Sequence, residues 1–137
     1  MPKIFTLELA KIQPSQLYIN SEKLASVMAE IDHSDPKLEE PLPIKKLSGK
    51  IIFTDGHTRA FALHKLGVEK APVFWDEDDL DWEAYKICVE WCEQEGIYTI
   101  ADLENRVVNT KDYERLWYAR CDKLHQQLAL KRKERKT

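Results

Sequence analysis

Asp55-Gly56-His57-Thr58-Arg59 sets a carboxylate, an imidazole, a hydroxyl and a guanidinium in one short run. A β-branched stretch, Lys50 to Thr54, precedes it, and an alanine- and leucine-rich segment that closes at Gly67 follows. A strand that breaks at a glycine and feeds straight into a helix turns the first N–H groups of that helix outward. Those groups are unpaired and carry the positive end of the helix dipole, so the place suits a phosphate. Thr54, Asp55, Gly56, His57, Thr58 and Arg59 are therefore the candidate phosphate-binding residues. The amides from Gly56 to Arg59 would form the cradle, Arg59 the clamp, the Thr58 hydroxyl a donor, and His57 a titratable donor. A purely structural account competes with this: Asp55 caps the helix, Gly56 makes a turn, and His57 and Arg59 are solvated. Cations are unfavourable at a helix N-terminus, so His57 and Arg59 there make most sense when something negative arrives.

A second constellation is Cys88-x-x-x-Cys92 with Cys121-x-x-x-His125. Each pair falls on one face of a helix, and two such faces set together would offer zinc three sulfurs and one nitrogen. The alternative is that small apolar cysteines pack a helix interface and His125 is exposed. The acidic run Asp76 to Asp81 resembles a cation site, but its simpler role is to favour the next helix through the dipole, with Asp79 or Asp81 as cap.

The elements that must position these groups follow from the pattern. Ile4 to Leu9 reads as a strand, and Gln13-Pro14-Ser15 as a turn. Ser21 is expected to cap a helix to about Ile31, with Leu24, Val27, Met28 and Ile31 on one face. Pro43 to Leu47, the Ser48-Gly49 turn and Lys50 to Thr54 form a hairpin, and Ala71 to Trp75 is a further strand. Trp82, Tyr85, Cys88, Val89 and Cys92 recur at helical spacing up to Gly96. Thr99 to Asp102 makes a capping box, and Thr110 is expected to cap a last helix striped by Tyr113, Leu116, Trp117, Cys121, Leu124 and Leu128. Trp75, Trp82, Trp91 and Trp117 are expected as core anchors.

The 137 residues fit a modest core, and 43% hydrophobic content is enough to bury one. No stretch approaches the ~20 apolar residues of a membrane span. Three cysteines and no basic-then-apolar leader give the expectation of a reduced, cytoplasmic chain. Net charge is −3, made of +1 over residues 1–75, −8 over 76–130 and +4 over 131–137. The acidic middle would repel a phosphate backbone, so sequence-specific duplex DNA binding is not expected. The basic end, Lys131 to Lys136, reads as a solvated helix end that complements the dipole.

Taken in order, Leu9-x-x-Ile12-x-Pro14, the Pro41 to Ile44 strand and Asp55-Gly56-His57-Thr58-Arg59-Ala60 resemble the ParB N-terminal/sulfiredoxin superfamily over residues 4 to 75. The match is to the Asp-Gly-His-x-Arg form of the free-serine kinases, with Thr58 in place of a second His. The sulfiredoxin cysteine position holds His57, so sulfinic acid reduction is not implied. The resemblance implies an α+β fold, a small mixed sheet bearing the strand–Gly–helix turn. Residues 1–76 would form that domain, and 77–137 a helical C-terminal layer packed on it. It also implies nucleotide phosphates at the turn, with magnesium as a companion near Asp55. In the catalytic version His57, Asp55 and a glutamate, Glu40 or its neighbour Glu39, support phosphoryl transfer or nucleotide hydrolysis. In the other version a nucleotide or phosphorylated small molecule binds without turnover and switches a protein partner at the helical layer.

Overall fold

The structure, a computed structural model, describes residues 3–135, so Lys136 of the basic run lies outside the described residues. Its architecture is α+β. Strands β1 (Ile4–Glu8), β3 (Leu42–Leu47), β4 (Lys50–Phe53) and β5 (Lys70–Trp75) form a mixed sheet in the order β1-β5-β3-β4. β1 runs antiparallel to β5, β5 parallel to β3, and β3 antiparallel to β4. The β3–β4 hairpin closes on Ser48 and Gly49 with φ of 52° and 81°. Positive φ at both positions matches the twist of paired strands, so the tight turn is favoured.

Two residues of β2 (Ile19–Asn20) pair in parallel with two of β6 (Val107–Val108) and tie the start of the chain to its end. Neither was expected from the sequence. Helix α1 (Ser21–Glu30) follows β2 directly, and its cap is Asn20, not Ser21. The Asn20 Oδ1 accepts from the amides of Glu22 at 2.9 Å and Lys23 at 3.3 Å. α2 (His57–Lys65) leaves β4 through Gly56. α3 (Trp82–Gln94) starts at Asp81, whose Oδ1 accepts from the Ala84 amide. Thr99 and Asp102 form the expected capping box on a 3-10 helix, Ile100–Arg106.

The last helix begins as α4 (Thr110–Tyr113), passes through a π-helical turn, Glu114–Tyr118, and continues as α5 (Ala119–Arg135). Asn109, not Thr110, caps it. The basic end is not simply solvated: Arg132 bonds Asp81 at 2.8 and 3.0 Å and Glu83 at 3.1 Å, clasping α5 to the start of α3.

One buried cluster gathers Ile12, Ile44, Phe53, Phe61, Ile100, Leu103 and Trp117, from the sheet, α2 and the C-terminal segments alike. Trp117 is buried as expected, but Trp75 is 41% exposed and stacks on Phe5 at 5.6 Å between ring centroids. It is the last residue of β5. Among the described residues no helix is long and apolar enough to cross a membrane.

Two outcomes test this packing. Leu103, with no exposed surface, should cost about 2–5 kcal/mol in chemical denaturation when changed to Ala, with the whole domain losing stability in one transition. Asp81→Ala should cost about 1 kcal/mol, and Asp81→Asn clearly less, because Asn keeps the cap and loses only a partly exposed ion pair.

Candidate functional site

The Asp55–Arg59 turn is held from below by an interlocked set of bonds. Gln13 runs beside β4: its amide donates to the Ile51 carbonyl, and its carbonyl accepts from the Phe53 amide. That parallel bridge carries Ser15 under the turn. The Ser15 hydroxyl donates to the Phe53 carbonyl at 2.7 Å, and the Ser15 amide donates to Nε2 of His57 at 2.9 Å. Thr54 Oγ1 donates to Asp76 Oδ2 at 2.7 Å, and the Tyr85 hydroxyl donates to the Thr54 carbonyl at 2.7 Å. The loop after β5 and helix α3 thus grip the residue just before the turn.

Gly56 has φ 76°. A side chain there would be strained, and its Cβ would come within 2.8 Å of Arg59 Nη2 and of Leu42 Cδ2. The guanidinium therefore lies over the glycine. Arg59 donates to the Glu40 carbonyl at 3.2 Å and, among the described residues, meets no carboxylate within ion-pair distance. α2 has no side-chain cap, and its first amide bonded within the helix is Ala60, to Gly56. Among the described residues no group accepts from the amides of His57, Thr58 and Arg59. Asp55 turns its Oδ1 to the Gly56 amide at 2.7 Å, so that one amide is already taken.

His57 differs most from expectation. It is not a solvated first-turn donor: it is 4% exposed, its ring packs on Phe53, and its Nε2 is an acceptor for a backbone amide. Burial pulls its pKa down to about 4, against a smaller upward pull from Asp55. The ring is neutral at pH 7 and lacks the second, acidic proton that an imidazolium would give. Nor do Ser15 and His57 form a nucleophile pair. Their Oγ–Nε2 distance is 3.5 Å and the Ser15 proton goes to Phe53.

Three cavities surround the turn. One of about 570 Å³ meets Arg59, Glu39 and Glu40, with Val27, Ile31 and Leu38 as apolar wall. One of about 430 Å³ is acidic, with Asp55, Asp76, Glu77 and Asp78 beside Trp75 and Tyr85. Burial, with Asp55 and Asp76 nearby, pushes the Tyr85 hydroxyl up to about 12. A third, about 200 Å³, lies between the turn and α3 and α5 and meets His57 and Asp55. Glu40 therefore opens on a different cavity from His57 and Asp55, and the three expected catalytic residues do not converge.

The zinc constellation does not form. Cys92 is sealed in the main cluster, while Cys88 and Cys121 sit half-buried at its edge. Burial raises their pKa values to about 12, 12 and 11 for Cys88, Cys92 and Cys121. Among the described residues no group of three or more His, Cys, Asp or Glu side chains is placed to hold a metal ion. The side chains that sequence reasoning missed are Ser15, Asp76 and Tyr85. They approach the turn from distant parts of the chain, and periodicity carries no signal for that.

Comparison with known protein families and with curated proteins gives no match. Among solved structures, protein Atu1540 from Agrobacterium tumefaciens is similar over 75% of this chain and 62% of that one, at 18% identity and a TM-score of 0.48. The match thus takes in less than two thirds of that protein's length.

The buried imidazole has a measurable consequence. The unfolded chain takes up a proton near pH 6.5, and the folded chain does so near 4. Between those values the unfolded state binds more protons, so stability falls as pH drops through that window, by on the order of 3 kcal/mol in all. Denaturation at pH 7, 5.5 and 4.5 should show the fall, and NMR titration should place the His57 midpoint well below 6.

Proposed function

We propose that this chain binds the phosphate of a nucleotide or phosphorylated small molecule at the start of α2, as a ligand-sensing module with a ParB/sulfiredoxin-like turn. The supporting observation is Arg59: its guanidinium rests over Gly56, at the positive end of a helix, with no carboxylate partner beside open amides. Positive charge is unfavourable there until an anion arrives. The Thr58 hydroxyl, half-buried on the same first turn, adds a donor. The cavity of about 570 Å³ beside Arg59 has the size and mixed lining to take the rest of such a ligand.

Sensing without turnover is the reading that the side chains favour. Phosphoryl transfer calls for a base working with an acid near the phosphate; the His57 ring is neutral with Nε2 occupied, and Glu40 lines the Arg59 cavity, apart from the one that His57 and Asp55 line. A ligand at the turn would act on α3 through the Tyr85–Thr54 bond. Magnesium, when bound, would neutralise phosphate charge. Asp55 keeps one oxygen free for it, whereas both Asp76 oxygens are bonded to Thr54 and the Asp78 amide. One carboxylate plus ligand phosphates is an ordinary donor set for this ion.

Isothermal titration with ATP, CTP, ADP and inorganic phosphate, with and without magnesium, tests the reading. We expect binding by at least one of them, weakened about 10- to 100-fold in Arg59→Ala through loss of charge-assisted hydrogen bonds, and no phosphate release over hours. Absence of binding by the wild type at millimolar ligand removes the proposal, and turnover would replace the module with an enzyme.

A further inference from the structure

The cavity of about 200 Å³ between the turn and helices α3 and α5 has a donor that phosphate binding leaves unused. His57 Nε2 accepts from the Ser15 amide, so the proton of the neutral ring sits on Nδ1. No group among the described residues accepts from that Nδ1–H. Among the described residues every fully buried side-chain nitrogen and oxygen has a partner. The Nδ1 edge is therefore not sealed in the core, and the open space that His57 lines is this cavity. A buried N–H without a partner is costly unless water or a ligand satisfies it.

The exposed Asp55 lines this cavity as well as the acidic one, and among the described residues nothing meets the oxygen not used on the Gly56 amide. Donor and acceptor thus face one small space. Ala84, Trp117 and the thiols of Cys88 and Cys121, which burial keeps as neutral S–H, form its apolar wall, and Gln16, Tyr85, Asp81 and His125 add polar groups. An apolar cavity of roughly 150 Å³ holds a benzene ring, so this one takes a single substituted ring and excludes a whole nucleoside. Asp55 disfavours an anion, and the His57 N–H disfavours a cation.

We propose that this cleft binds a small neutral molecule with an amide edge, its carbonyl accepting from His57 Nδ1–H and its adjacent N–H donating to Asp55. Pyrimidine bases, lactams and primary carboxamides have that edge. The site shares with phosphate binding only the free Asp55 oxygen that magnesium would use, since Arg59 opens on the other side of the turn.

The test uses uracil and 2-pyrrolidone, titrated into the isotope-labelled full chain while the His57 ring and the amides of Gln16 and Ala84, which also line the cavity, are followed by NMR. Saturable shifts at those groups are expected in the millimolar range, and Arg59→Ala should leave them unchanged. 1,3-Dimethyluracil keeps the ring and carbonyls but lacks N–H, and should bind at least about tenfold more weakly. Bound uracil should also slow alkylation of Cys88 and Cys121. No saturable shift with either probe, equal binding of the dimethyl compound, or loss of uracil binding in Arg59→Ala overturns the proposal.

Discussion

The bond from the Ser15 amide to Nε2 of His57 organises everything around the turn. It joins the first polar loop to the first residue of α2, and it is buried at 2.9 Å. Because a backbone amide can only donate, the imidazole must accept, which fixes the tautomer. Protonation of the ring would set two donors against each other in a dry place, so burial and the bond act in the same direction on its pKa. The turn thereby gains a rigid, uncharged floor. The charged groups of the turn itself, Asp55 and Arg59, lie on its two sides.

The corner also has two electrically different sides. Toward α3 lie Asp55, Asp76, Glu77 and Asp78. Toward α1 lies Arg59, in a cavity that mixes its guanidinium with Lys37, Glu39, Glu40 and apolar groups. The open helix amides stand between them. A phosphate would meet attraction from the α1 side and repulsion from the α3 side, which sets the direction from which it approaches. The acidic side is not loose charge: Asp76 is spent on Thr54 and the Asp78 amide. Its work is to hold the residue before the turn, and Tyr85 does the same from α3. Tertiary bonds on both flanks of Thr54 explain how a short connection between β4 and α2 keeps one shape.

The sequence announced the local features and stayed silent on what converges from afar. The β4–Gly56–α2 turn was legible because a β-branched run, a glycine and an alanine-rich stretch are all local signals. Asp81 was legible as one of two candidate caps, beside Asp79, for the same reason, and the box of Thr99 and Asp102 was legible too. Asn20 and Asn109 each stand one residue ahead of a Ser or Thr that could also cap, and composition alone does not choose between neighbours of similar capping strength. The β2–β6 pair is two residues long on each side, too short for any periodicity. The inward turn of His57 depended on Ser15, whose approach is set by the Gln13 bridge to β4. Trp75 shares the alternation of buried Ala71 and Val73, yet a strand end need not be covered.

Two arginines use their guanidinium groups in different ways. Arg132 spends its guanidinium on Asp81 and Glu83 in three hydrogen bonds, and joins two helices in doing so. Arg59 has Glu39 and Glu40 lining the same cavity, yet it takes a carbonyl of Glu40 and neither carboxylate. Its other donors remain unspent, in front of a helix end whose own charge is also positive. A structural arginine has no reason to be placed there, because the dipole opposes it and one 3.2 Å bond is a small return for ordering a long side chain. An anion reverses both signs: the open amides and the guanidinium then act on the same group, and the bond to Glu40 serves to hold the guanidinium ready over Gly56.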